Sequence, residues 1–60
     1  MAVEVGLVDG TKLALSNPDV HEDDVVRSIR DDPTGVMSLV TEDGVYRVLI
    51  RNVVYVRSVD

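Results

Sequence analysis

The stretch that decides the fold is VYRVLIRNVVYV, residues 45–56. Nine of its twelve residues are apolar, and most are β-branched or aromatic, the types that favour strands. Its even positions, Tyr46, Val48, Ile50, Val54 and Val56, form a clean apolar set. Its odd positions, Arg47, Leu49, Arg51, Val53, Tyr55 and Arg57, form a mixed one. Successive residues of a strand point to opposite faces, so the even set is assigned to the core and the odd set is left over. A straight strand from Val45 to Val59 would far exceed the usual length of about 5–6 residues. A bend, bulge or tight turn is therefore expected at Arg51-Asn52, giving a fourth and a fifth strand. A bulge there would flip the face assignment beyond it.

Working back toward the N-terminus, TGVMSLVT (34–41) reads as a third strand. EDG (42–44) reads as a three-residue hairpin loop, with Gly44 in the left-handed position. At the start of the chain, Val3, Val5 and Leu7 alternate with Glu4 and Gly6, the period of a half-buried strand. Asp9-Gly10 predicts a type I′ hairpin turn, and Leu13 and Leu15 line the inner face of the return strand.

Between the hairpins lies SNPDVHEDDVVRSIRDDP, residues 16–33. Asp19 and Glu22 stand at capping-box spacing. Acids crowd the first turn and Arg27 and Arg30 fall near the end, as the helix dipole favours. Asp23 and Arg27 can pair at i, i+4. Val25, Val26 and Ile29, with Val20, form a narrow apolar stripe, and Pro33 forbids continuation. The pattern predicts a helix over about 20–30 that needs a surface to dock on. LVDGTKLALSN (7–17) also echoes LVTEDGVYRVLIRN (39–52), as two hairpins reusing the same residue types would. The expected fold is a single α+β domain over residues 1–60, ββαβββ in order. Its antiparallel sheet is strongly bent, with closure into a barrel as the limiting case.

Sixty residues allow one marginal core, which small proteins often supplement with disulfides, a metal or a partner. There is no cysteine and a single histidine, His21, so no disulfide and no metal is expected. No apolar run approaches the roughly 20 residues needed to span a bilayer. MAVEVGLVDG lacks the basic start and apolar run of a signal peptide. The reading is a cytoplasmic protein with no membrane partner.

The net charge is −5 and unevenly placed. Residues 1–45 carry ten acids against three bases, whereas residues 46–60 carry Arg47, Arg51 and Arg57 against Asp60. Such an acidic whole repels phosphate backbones and anionic lipid. The acids of DVHEDD (19–24) lack the central glycine of a calcium loop and are explained by a helix start. No nucleophile elbow or glycine-rich phosphate loop is present, so no catalytic residue, cofactor or enzyme activity is expected.

LIRNVVYV (49–56) resembles the closing motif of Sm-like small barrels, in which an apolar-Arg-small step precedes an aliphatic run. The resemblance implies a strongly bent five-stranded sheet, ring formation through the fourth and fifth strands, and RNA contact near Arg51 and Asn52. Asn52 stands where that family has glycine, the helix follows the first hairpin instead of preceding it, and the family's first motif is not recognisable.

The functional expectation is a protein-binding module that associates with itself through the C-terminal ribbon. Its interface residues are Arg47, Leu49, Arg51, Val53, Tyr55 and Arg57, with Leu49 and Tyr55 as apolar anchors. Two alternatives are carried: a nucleic-acid-associated regulator using an arginine face, and an acidic phage-type inhibitor of a host protein.

Overall fold

The computed structural model describes residues 2–59. Two antiparallel sheets and one helix make an α+β fold in the order ββαβββ. The first sheet holds β1 (Ala2–Leu7), β2 (Lys12–Ala14) and β5 (Val53–Val59) in the order β2-β1-β5. The second is the hairpin of β3 (Val36–Thr41) and β4 (Gly44–Leu49). Ser16 N–H donates to the Val40 carbonyl at 3.0 Å where the chain leaves the edge of the first sheet and meets β3. The sheets do not close into a barrel.

The expected bend falls where the sequence places it. Ile50–Asn52 form a 3-10 turn that carries the chain from β4 in one sheet to β5 in the other. Ile50 anchors this corner twice: its side chain is buried, and its N–H donates to the Gly35 carbonyl at 3.0 Å. On the far side, Val8 N–H donates to the Asn52 carbonyl at 2.9 Å and ties the first hairpin to the corner.

The even-face assignment breaks at Val53 and Val54, just past the corner, and holds again at Val56. β1 and β5 pair regularly from Ala2↔Val59 to Gly6↔Tyr55, and then Leu7 pairs with Val53. Val54 is thus the extra residue of a bulge; Val53 before it turns inward, and the even face resumes after it at Val56. Val53 and Val56 pack on the core, whereas Val54 is 62% exposed. Tyr46, assigned inward, lies opposite buried Leu39 but stays 38% exposed, its phenol donating to the Asp43 carboxylate of the turn at 2.8 Å.

Buried residues from both sheets and the helix form one cluster: Val3, Val5, Leu13, Leu15, Val25, Met37, Leu39, Val48 and Ile50. Val5, opposite Val56 at the centre of the first sheet, is fully buried. Thr41 is the one buried polar residue among those described, and its hydroxyl donates to Asp43.

Three local readings shift. The helix, α1, spans Glu22–Asp31, and its capping arm runs from Asp24 Oδ2 to the His21 N–H at 3.1 Å, not between Asp19 and Glu22. Asp19 is taken by an Asx turn, its N–H donating to Asn17 Oδ1 at 2.9 Å across Pro18, so the helix begins later. Val25 is its buried contact, with Val20 and Ile29 half-buried, whereas Val26 faces out. At the first hairpin only Gly10 has positive φ, 92°, so the turn is not type I′. Leu7 O accepts from Gly10 N–H at 3.0 Å and Leu7 N–H donates to Thr11 O at 2.9 Å. That is a three-residue loop with glycine at the left-handed position, which spares Asp9 a strained backbone. At the second hairpin Thr41 pairs with Gly44, so the loop is Glu42-Asp43 alone and Gly44, φ 146°, already belongs to β4.

Candidate interaction surface

The register of β3 and β4 sorts their side chains into two rows. Met37, Leu39, Thr41 and Val48 turn inward. Val36↔Leu49, Ser38↔Arg47 and Val40↔Val45 pair across the outer face. Four of those six are aliphatic and open to solvent: Val36 is 50% exposed, Val40 49%, Val45 64% and Leu49 40%. They flank the Ser38–Arg47 pair on both sides, so the face is apolar with one cation at its centre. Contiguous exposed aliphatics of this kind mark interaction sites more often than scattered single residues do.

The outer face of the first sheet is different in kind. Tyr55 lies opposite Gly6, and its ring occupies the space a Cβ at Gly6 would need. The phenol donates to Glu4 Oε2 at 2.6 Å, and Arg57 Nε lies 3.0 Å from the same oxygen. This is the one ion pair among the described residues, so the Asp23–Arg27 pair expected on the helix does not form. The face is therefore closed by its own aromatic ring and its own charges.

These bonds set the titration. The Tyr55 hydrogen bond, with the charges of Arg57 and Lys12, outweighs desolvation and holds the Glu4 carboxyl below its ordinary range. Asp9 is lowered by bonds from the Thr11 backbone and hydroxyl, and Asp43 by bonds from Thr41 and Tyr46. The same contacts, Glu4 on Tyr55 and Asp43 on Tyr46, raise the two phenols. A carboxylate with a depressed folded pKa contributes stability that is present above its unfolded value, about 4.3 for glutamate, and lost as pH falls through the folded value. A raised phenol contributes below about 10 and loses that contribution as pH climbs through its folded value. Urea melts of Glu4→Gln are therefore expected to show a shallower fall of stability below pH about 4.3 than the parent. Tyrosinate absorbance should show Tyr55 returning toward its ordinary pKa in the same variant. An unchanged acid limb would contradict this account of Glu4.

The six residues expected at the interface are divided among three places. Arg47 and Leu49 lie on the apolar hairpin face. Arg51 is exposed in the 3-10 turn. Val53 packs against the core, and Tyr55 and Arg57 are engaged with Gly6 and Glu4. The three arginines thus belong to two sheets and the corner between them. Sequence reasoning passed over Val36, Val40 and Val45. The signal was present in VMSLVT, whose two alternating sets are both largely apolar.

A groove of about 270 Å³ lies between α1 and β3, floored by Leu15, Val25 and Leu39 and rimmed by Asn17, Asp24 and Ser28. No group of three or more His, Asp or Glu side chains among the described residues is placed to hold a metal ion. No described helix is long and apolar enough to cross a membrane. No family model, curated protein or solved structure matches this chain.

Proposed function

We propose that this chain is a small protein-binding module without catalytic activity, which associates with itself through its C-terminal ribbon. The observation that supports this reading is the outer face of the β3–β4 hairpin, where Val36, Val40, Val45 and Leu49 stand exposed around Arg47. Leu49 keeps the anchoring role expected of it, and Val45 joins it. Tyr55 drops out, because its ring already covers Gly6. A chain with one small core and no disulfide gains most from covering such a face. Arg47 and Arg51, with no acidic partner among the described residues, supply the polar rim. The absence of cysteine suits a reducing cytosol.

Light scattering over a dilution series tests this directly. More than one chain per particle is expected at high concentration, with dissociation on dilution. A Val45→Ser/Leu49→Ser variant should remain monomeric at the highest concentration while melting within about 1 kcal/mol of the parent, because both residues are largely exposed. A parent that is monomeric throughout would overturn the reading.

A further inference from the structure

Strand β4 leaves one edge free, since it pairs only with β3. Ile50 N–H points to the Gly35 carbonyl, which fixes the phase of the ladder between β3 and β4. Backbone groups alternate along an antiparallel strand, so those of Val45, Arg47 and Leu49 point away from β3. Among the described residues, no backbone hydrogen bond from elsewhere in the chain reaches them. The strand carries none of the usual edge protections apart from Arg47: it has no proline, no bulge against β3 and no covering helix.

Resting on the self-association proposed above, the geometry points to an isologous dimer in which β4 pairs antiparallel with β4 of a second copy, centred on Val45. Charge selects this register. Centring on Arg47 would set two arginines against each other. Centring on Tyr46 would set Arg47 against Val45 and leave it without an acid. Centring on Val45 sets Val45 against its own mate and brings Asp43 of each turn, whose exposed carboxylate already accepts from Thr41 and Tyr46 of its own chain, level with Arg47 of the other chain. It also sets Gly44 against Tyr46 of the second copy, repeating the Gly6–Tyr55 pairing already present within the chain. The two hairpins then form one four-stranded sheet, with Val40 and Val45 of both copies in a continuous row across its outer face.

The chain has no cysteine, so single-cysteine variants report contacts without background. Val45→Cys is the central probe, because residues facing each other in a hydrogen-bonded antiparallel pair have Cα atoms about 5.5 Å apart, within disulfide reach. Mild oxidation is expected to link Val45→Cys into a dimer under conditions where Val54→Cys, equally exposed on β5, stays single. Arg47→Asp should raise the dimer Kd about tenfold by turning two attractive pairs into repulsive ones. Adding Asp43→Arg, which also releases Thr41 and Tyr46 of its own hairpin, should restore part of the affinity. Linkage through Leu49→Cys or Val36→Cys in place of Val45→Cys would mean that the hairpin faces stack. That would overturn edge pairing while leaving the proposed function standing. Linkage only in mixtures of Val45→Cys with Val54→Cys chains would mean that β4 meets β5 of the next copy, and would overturn the two-fold arrangement. No linkage in any variant, with a monomer by light scattering, would overturn both proposals.

Discussion

Ile50→Ala is expected to remove about 2–5 kcal/mol, most or all of the stability available to a domain this small. The side chain sits in the central cluster with Met37, Leu39 and Val48, and its backbone N–H holds Gly35 at the end of β3. It is also the residue at which the chain leaves one sheet for the other. Shortening it removes buried methyl groups at a corner pinned from both sides, where the surroundings cannot easily collapse into the space. Val54→Ala, four residues along, is the control. The bulge turns Val54 to solvent, so its loss should cost within about 0.5 kcal/mol. Urea melts of both variants should therefore separate widely, with no cooperative transition, or a much earlier one, for Ile50→Ala. Equal midpoints would mean that the bulge is misplaced and that Val54 turns inward with Val48, Ile50 and Val56.

Gly6→Val is expected to cost about 1–3 kcal/mol, although valine is the better strand former. The reason is not the backbone, since positive φ is confined to Gly10 and Gly44 among the described glycines. A Cβ at position 6 would fall within the Tyr55 ring and push it off the sheet. The phenol would then lose its 2.6 Å bond to Glu4, and the carboxylate would keep only Arg57. The effect should be strongly non-additive. In a Tyr55→Ala background, where the space is already empty, Gly6→Val should cost much less, and a double-mutant cycle by urea denaturation measures the difference. Equal costs in both backgrounds would remove the ring-on-glycine contact from the account.

The sequence made much of this architecture legible because each signal was local. Alternation in Val3, Val5 and Leu7, the acid-to-base polarity of the helix and the stop at Pro33 each act within a few residues of themselves. Even the corner at Arg51-Asn52 follows from a strand too long to stay straight. What was not legible depended on pairing at a distance. The bulge at Val54 exists because β1 and β5 slip by one residue between Gly6 and Leu7, and neither segment alone records that slip. The same slip placed Val53 inward and reversed its expected role. Tyr55 looked like a free anchor because its cover, Gly6, lies 49 positions earlier in the chain. The aliphatics of the hairpin face went unassigned for the opposite reason. Val36 and Val40 were read with the strand that contributes Met37 and Leu39 to the core, and only the register to β4 shows the two rows separating. The expected leftover apolar surface is present, but it is shared between β3 and β4 instead of running down the ribbon into β5.

The most direct test of the central claim, that the hairpin flank is the surface this protein covers in use, is a dilution series of amide spectra. From dilute to concentrated protein, the account predicts shifts at Val36, Val40, Val45, Arg47 and Leu49, with Glu4, Gly6 and Tyr55 unmoved. Spectra that are unchanged over the whole range, or shifts confined to Tyr55, Arg57 and their neighbours, would contradict it.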